Sequence, residues 1–520
     1  MKKIDRDYKV RNFHQAKWDE PIIFELSQSG ERGVIPPGAN EEVKNLVGDG
    51  VCVLPKGMKR ESLNLPEIAQ HRVLRHYLRL SQQTLGADLN IEIGQGTCTV
   101  KYSPKINEKL ARLPQVTELH PHQDESTTQG ILEIMNKTEE YMKEISGMDR
   151  FSFQSGGGSQ AIMTMASLVR AYHDKNGDSD IKDEIITTIY SHPSDAAAPA
   201  LKGYKIIKIF PDENGYPDYE AFKEAVSERT AAFIVANPED TGVFNTRVKE
   251  FTDLVHKFGG LCCYDQANAN GLLGVTRAKE AGFDMCFFNI HKTFSAPHGC
   301  GGPACGAVGV VEKIVPFLPA PLVDFNSDEN RYFLNYDLEN SIGKVRMFTG
   351  VPQVVLKAYA WMRSLGAEGL YEVSKIAVLN NNYMFKKLIK HNAIDAPYIE
   401  GKQRIEQVRY TLETLKEETG VGTGDIQRRM MDFGMHYWTS HHPYYIPEPF
   451  TLEPTETPSK EDLDEYIATL THVIDEAYKD SSIAINAPYR SSIHKVDESE
   501  LDDSDKWAIT WRAYQKKAQK

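Results

Sequence analysis

The chain predicts an α/β protein built on a mostly parallel sheet that is covered on both faces. Three observations carry that expectation. Between about residues 125 and 315, short apolar runs alternate with amphipathic helical stretches. The runs are nearly continuous in apolar residues, as strands packed on both faces require. Conspicuous polar residues fall at the carboxyl ends of those runs, where open parallel sheets bind ligands.

Residues 1–85, rich in Gly, Pro and charge, read as an N-terminal arm with short helices, of the kind that wraps a neighbouring subunit. Apolar positions at Ile131, Ile134, Met135, Met142 and Ile145 predict a helix over 126–145, and a second helix follows over 159–173. Strands are expected at 185–190, 204–210, 231–236, 260–265, 285–289 and 307–311, with helices at 219–226 and 248–258 between some of them. After about residue 350 the texture changes. Helices are expected at 354–363, 371–390 and about 460–478, with strands and a Pro/Tyr/His-rich loop at 439–449. The predicted organisation is an arm (1–85), a large domain (86–350), a smaller C-terminal α+β domain (351–500) and a solvated tail helix (501–520).

Composition excludes several classes. The 60 Lys and Arg stand against 73 Asp and Glu, a net charge of −13 without a basic stripe, which argues against nucleic acid. No apolar run reaches the roughly 18 residues of a membrane span, and the charged N-terminus lacks the apolar core of a secretory signal. Seven cysteines, with Cys262, Cys263 and Cys286 in apolar strands, point to reduced thiols in a cytoplasmic protein. Cys300 and Cys305 have no matching His/Cys cluster in the sequence, so no metal is expected.

The most informative stretch is Asn289-Ile290-His291-Lys292-Thr293-Phe294-Ser295, a lysine on a polar turn after the apolar run Met285-Cys286-Phe287-Phe288. Upstream, Leu261-Cys262-Cys263-Tyr264 ends in Asp265, 27 residues before the lysine, about one strand–crossover–strand excursion. That pair is what pyridoxal 5'-phosphate needs. An amine holds the aldehyde as a Schiff base, and a carboxylate keeps the pyridine nitrogen protonated. Ser155-Gly156-Gly157-Gly158-Ser159-Gln160 opens a helix, so Gly157, Gly158, Ser159 and Gln160 are candidates to cradle the phosphate. His192, beyond a strand end, offers a ring to stack on the pyridine face, and Asn237 a polar group for the ring hydroxyl. Taken singly, each has an ordinary reading: a surface lysine, a capping aspartate, a satisfied loop histidine, an Asn-Pro turn.

With those residues in hand, the chain resembles the C-terminal-type subunit of the glycine cleavage system P-protein, from about residue 70 to 500. The resemblance is carried by the Lys292 motif with Pro297-His298-Gly299 and by Tyr264-Asp265-Gln266-Ala267-Asn268. Further matches are Cys98-Thr99-Val100-Lys101-Tyr102-Ser103-Pro104-Lys105-Ile106-Asn107-Glu108, Leu119-His120-Pro121 and Glu453-Pro454-Thr455-Glu456-Thr457. It implies fold type I, the aspartate-aminotransferase-like class, with a mostly parallel seven-stranded sheet. By motif match it implies Lys292 as the Schiff-base lysine, Asp265 as pyridinium partner and His192 as stacking ring, with Ala267, Asn268 and His291 beside the cofactor. Thr97, Cys98, Lys101 and Arg346 are the substrate-side candidates; Lys344 and Arg490 also have the charge to meet a carboxylate. The implied activity is decarboxylation of glycine with transfer of the aminomethyl group to a lipoyl H-protein. A separate first subunit would be needed, in a dimer or heterotetramer.

The sequence departs from that pattern in places. Gly-Thr-Asn-Pro after the histidine reads Pro193-Ser194-Asp195-Ala196, and Pro-Leu-Gly-Ser reads Gly94-Gln95-Gly96-Thr97. Gln266 replaces a glycine, and Ala487-Pro488-Tyr489-Arg490 lacks a histidine often found after the proline. The usually apolar C-terminal loop carries His436, Tyr437, Trp438, His441, His442, Tyr444 and Tyr445. These changes leave open a diverged decarboxylase, lyase or carbon–carbon bond-forming enzyme for another small amino acid. A non-catalytic scaffold would have no need for both Lys292 and Asp265.

Overall fold

Seven strands make the central sheet: β1 (Arg150–Ser155), β2 (Glu184–Thr188), β3 (Lys205–Ile209), β4 (Thr230–Ala236), β5 (Leu261–Gln266), β6 (Met285–Asn289) and β7 (Gly306–Val310). Their order is β1-β7-β6-β5-β4-β2-β3. Strands β6, β5, β4, β2 and β3 run parallel, and β7 is antiparallel to both β6 and β1. The expected fold-type I sheet is present. It is seen in a computed structural model that describes residues 10–48, 55–60, 62–86, 89–91, 93, 94, 99, 101–298, 302–398, 403–435, 445–493, 495–497, 499, 501 and 503–518.

The strands are apolar throughout because helices cover both faces. β5 turns Cys262 and Tyr264 into one apolar layer and Leu261 and Cys263 into the other; β6 divides Cys286 and Phe288 from Met285 and Phe287 in the same way. Helices Gln129–Ser146 and Pro352–Leu388 fill the first layer and helix Gly158–Asn176 the second. Each fully buried Phe or Leu side chain in such a layer contributes about 1.5–3 kcal/mol.

Elements beyond the sequence expectation include three within residues 150–335. β1 alternates Phe151 and Phe153 with Ser152 and Gln154, a half-polar pattern, yet residues 151–155 are buried. The polar atoms find partners: Gln154 Nε2 donates to the Pro321 carbonyl at 3.2 Å, and the Ser155 and Thr164 hydroxyls lie 3.0 Å apart. Helix Pro193–Leu201 opens on a proline and contains Pro199, and proline is a poor residue for a helix interior. Proline is acceptable at a first helical position, and His192 caps this one by accepting the Ser194 N–H at 3.1 Å. The third is a hairpin of β8 (Leu322–Asn326) and β9 (Arg331–Asn335). In addition, the helices expected at 354–363 and 371–390 form one run, Pro352–Leu388, broken at Gly366 (φ 68°).

Beyond that break, β10 (Val408–Thr411) pairs antiparallel with β11 (Pro449–Leu452). Helices Thr423–Met431 and Lys460–Lys479 close a separate core around Met384, Phe385, Tyr410, Phe450 and Leu470. The arm packs on this part of its own chain: Arg11 Nε and Nη2 meet Glu465 at 2.6 and 2.8 Å, and the Gln15 N–H donates to the Arg490 carbonyl at 3.0 Å. The tail helix Trp511–Ala518 is not simply solvated, since Trp511 stacks on Phe24 with centroids 5.0 Å apart. Among the described residues, no helix is long and apolar enough to cross a membrane.

Candidate active site

The carboxyl ends of four neighbouring strands converge on one cavity. Tyr190 and His192 reach it after β2, Ala236 and Pro238 from the end of β4, and Asp265, Ala267 and Asn268 from β5. Lys292 reaches it from the turn after β6, and Glu406 and Gln407 face it from the segment leading into β10.

Lys292 is buried, with 7 % of its surface exposed. Its N–H donates to the Asn289 carbonyl at 2.9 Å, and the Ser295 N–H closes the next turn onto the Lys292 carbonyl at 3.1 Å. His291 points the other way, with Nδ1 3.3 Å from the Cys305 carbonyl. Burial, then the charges of Lys292 and His298, lower its pKa to about 3, so the ring is neutral and Nδ1–H donates. Asp265 pairs in register with Ala236 on one side and Phe287 on the other, and its Oδ1 accepts the Ala267 N–H at 2.8 Å. The His192 ring is held by its capping role, with Nδ1 2.7 Å from the Ser194 hydroxyl.

The glycine turn lies beside the same strand ends. A side chain at Gly156 would strike the Arg346 guanidinium, and one at Gly158 would come within 2.9 Å of Asn289 Nδ2, three residues before the lysine. Gln160 braces the turn: its Oε1 accepts the Gly156 N–H at 2.6 Å, and its Nε2 donates to the Val345 carbonyl at 2.8 Å. Ser159 is exposed at the helix start. A phosphate-bearing aldehyde fits these groups: a cradle that a Cβ would fill, helix-start amides with a guanidinium beside them, a buried amine and a carboxylate.

Not every expected residue faces the cavity. Asn237 is engaged elsewhere: its Nδ2 donates to the Asn245 carbonyl at 3.1 Å, and its Oδ1 accepts the Asn245 N–H at 2.8 Å. The amide is spent on fixing a loop, and Pro238 lines the cavity instead. Lys101 is buried against Glu456 at 2.7 Å, with Trp361 below its ammonium at 4.3 Å. Thr97 and Cys98, Gln95 and Gly96, the glycine run at 299–301 and the loop residues His436, Tyr437, Trp438, His441, His442 and Tyr444 lie outside the described residues.

Sequence reasoning missed two buried carboxyls within electrostatic reach of Lys292, of which Glu406 lines the cavity. Glu453 Oε2 accepts the Thr99 hydroxyl at 2.5 Å, and Oε1 accepts Asn270 Nδ2 at 2.8 Å and Asn268 Nδ2 as well. Burial pushes its pKa up to about 7, against those hydrogen bonds and the charge of Lys292. Glu406 accepts the Gly271 N–H at 2.8 Å. Burial and then the charge of Glu453 hold it well above the usual carboxylate range, while the Gly271 N–H and Lys292 pull it down. Glu453 stood inside a motif and could have been flagged; Glu406 carried no signal. A third grouping, His256, Cys262 and Asp284, brings ligand-type atoms within 4.8 Å of one another. Asp284 is satisfied there by His256 at 2.9 Å, Lys313 at 2.8 Å and the Cys262 N–H at 2.8 Å, so an ammonium already supplies the positive charge.

The family model for the glycine dehydrogenase C-terminal domain matches residues 373–491, and that for class-V aminotransferases matches residues 116–318. A probable glycine dehydrogenase (decarboxylating) subunit 2 of Pyrococcus abyssi is 42% identical over 509 residues, covering 98% of this chain and 99% of the relative. The chain belongs to the glycine dehydrogenase (decarboxylating) subunit 2 family. The probable subunit 2 of Staphylococcus aureus is 38% identical, with 92% and 95% covered. In fold, the chain is similar to the crystal structure of an inhibitor-bound glycine decarboxylase (P-protein) of the glycine cleavage system. The TM-score is 0.70 at 20% identity, over 85% of this chain and all of that one. A NifS-like protein follows at TM-score 0.57 and 15% identity, over 75% of this chain. Members of this family are pyridoxal-phosphate-dependent enzymes of fold type I, and this chain is one of them.

Proposed function

We propose that the chain is the subunit that decarboxylates glycine in a glycine cleavage system and passes the aminomethyl group to a lipoyl H-protein, working with a separate first subunit. The reading is carried by one observation: Lys292, Asp265 and His192 line a single cavity at the carboxyl ends of adjacent strands.

When bound, pyridoxal phosphate supplies an electron sink for the carbanion left as carbon dioxide departs. The Lys292 Nζ would hold the aldehyde and move a proton at that atom. Asp265, its orientation fixed by the Ala267 N–H, would keep a proton on the ring nitrogen. The His192 ring, held through Nδ1 by the Ser194 N–H and hydroxyl, would offer its face to the cofactor ring. Helix-start amides after Gly157, with Arg346 beside them, would take the phosphate. Glu406 and Glu453, both buried near Lys292, are placed to store a proton on its amine side and to exclude water there.

Purified chain supplied with pyridoxal phosphate should show a visible absorbance that borohydride bleaches. Lys292→Ala should abolish it while leaving the fold intact. With the first subunit and H-protein added, glycine and bicarbonate should exchange carboxyl carbon. Visible absorbance without exchange, together with a spectral response to another small amino acid, would replace glycine with the diverged reading. A colourless parent would remove the enzyme reading.

A further inference from the structure

We propose that Asp195 is a positioning residue that shares one proton with Asp265 and donates it as a hydrogen bond, fixing and tuning the carboxylate beneath the cofactor. Asp195 lies in the first turn of helix Pro193–Leu201, three residues after His192, and is 0 % exposed. Among the described residues, neither of its carboxyl oxygens has a hydrogen bond of good geometry. What they face is the Asp265 carboxyl, within hydrogen-bonding reach. The other groups against it are the His192 N–H and the Cys263 thiol.

Two ionised carboxylates in contact inside a protein cannot both persist, so one proton must lie between them. Burial, then the charge and hydrogen bond of Asp265, hold Asp195 well above the ordinary carboxylate range. The Cys263 thiol is likewise raised by burial and stays neutral, so it supplies no competing charge. The Asp265 Oδ1 already accepts the Ala267 N–H at 2.8 Å, a bond of a kind that the Asp195 oxygens lack among the described residues. The proton therefore resides on Asp195, and Asp265 faces the cavity as an anion with a donor behind it. A neutral carboxylic acid at this place has the shape and the donor of a carboxamide. That explains how an acidic side chain is accommodated where the family pattern has an asparagine.

The role toward the cofactor rests on the reading of Asp265 given above, whereas proton sharing belongs to the cofactor-free chain. Infrared spectroscopy of cofactor-free protein near neutral pH should show one more protonated-carboxyl band in the parent than in Asp195→Asn. Asp195→Asn should bind pyridoxal phosphate about as tightly as the parent, because its amide takes over the donation. Asp195→Ala should bind it about tenfold or more weakly, as loss of a hydrogen bond to a charged group implies. Identical carboxyl bands in parent and Asp195→Asn would overturn the proposal, as would undiminished cofactor binding by Asp195→Ala. Should the alanine variant not fold, the parent–asparagine band difference decides alone. If no variant takes up cofactor but the band difference persists, the pair stands and the reading of Lys292 falls.

Discussion

On the sheet side of the cavity, Asp265 and Lys292 are held by the backbone of the strand ends that carry them, at Ala267 and Asn289. On the facing side, Glu406 is held by Gly271, 135 positions away, and Glu453 by Thr99, 354 positions away. The first arrangement is local and does not require the rest of the chain to arrive. The second forms only when the region after Gly366 has docked, and docking buries carboxyls that would otherwise be solvated. The half of the cavity proposed to carry the chemistry is thus built on neighbouring strand ends, and the half that faces it is built by assembly.

Breaking the sheet side should have the larger consequences. Asp265→Asn leaves an amide that cannot stabilise a protonated ring nitrogen. The expected result is retained cofactor but a loss of glycine–bicarbonate exchange well beyond tenfold, the rate equivalent of about 1.4 kcal/mol. Exchange within tenfold of the parent would remove Asp265 from that role and with it the contrast between the two sides.

Gly242→Ala tests the seam between them. Gly242 has φ 76°, and a Cβ there would strike the Gln407 backbone; its carbonyl accepts the Ile405 N–H at 3.0 Å. Left-handed strain and the clash together should cost about 3 kcal/mol of stability. Because the displaced segment carries Glu406, the urea midpoint should fall while the strand-end residues keep their cofactor colour. Equal loss of both would mean that the two sides form one cooperative unit.

How much of this was legible follows the same division. Apolar runs ending in a single polar residue marked β4, β5 and β6, because a strand end and its ligand-facing residue are neighbours in sequence. The Lys292 turn and the glycine turn were visible for the same reason. β1 was not, since its serines and glutamine are buried by partners such as Pro321 that no local pattern names. Helix Pro193–Leu201 was hidden by its prolines, and with it the contact of Asp195 with Asp265. Asn237 looked free because its partner, Asn245, lies on a loop without periodicity.

Glu453→Gln should sharpen the electrostatic half of the contrast. A carboxyl raised from 4.5 to about 7 in the folded chain keeps its proton where the unfolded chain has released it. Folding stability from this group is therefore full below about pH 4.5 and falls as pH rises through 7, by up to about 1.4 kcal/mol per pH unit. Glu239, pushed up to about 7 by burial, titrates in the same window. The substitution should accordingly weaken, not abolish, the decline in urea midpoint between about pH 5 and 7 in cofactor-free protein. An unchanged slope would show that Glu453 is ionised throughout.

The smallest expected effect is at a hydroxyl contact that spans the two sides. The Tyr190 hydroxyl, at the end of β2, lies 3.1 Å from the Tyr398 hydroxyl, and the rings meet edge to face with centroids 6.4 Å apart. Tyr190→Phe keeps the ring contact and removes only the hydrogen bond. A neutral bond of this kind is worth about 1 kcal/mol net, because water replaces it on the partner that remains half-exposed. The urea midpoint should drop slightly, with cofactor absorbance unchanged. A loss above about 3 kcal/mol would exceed what one neutral bond supplies. It would mean that Tyr190, which also lines the cavity, anchors the docked segment through more than its hydroxyl.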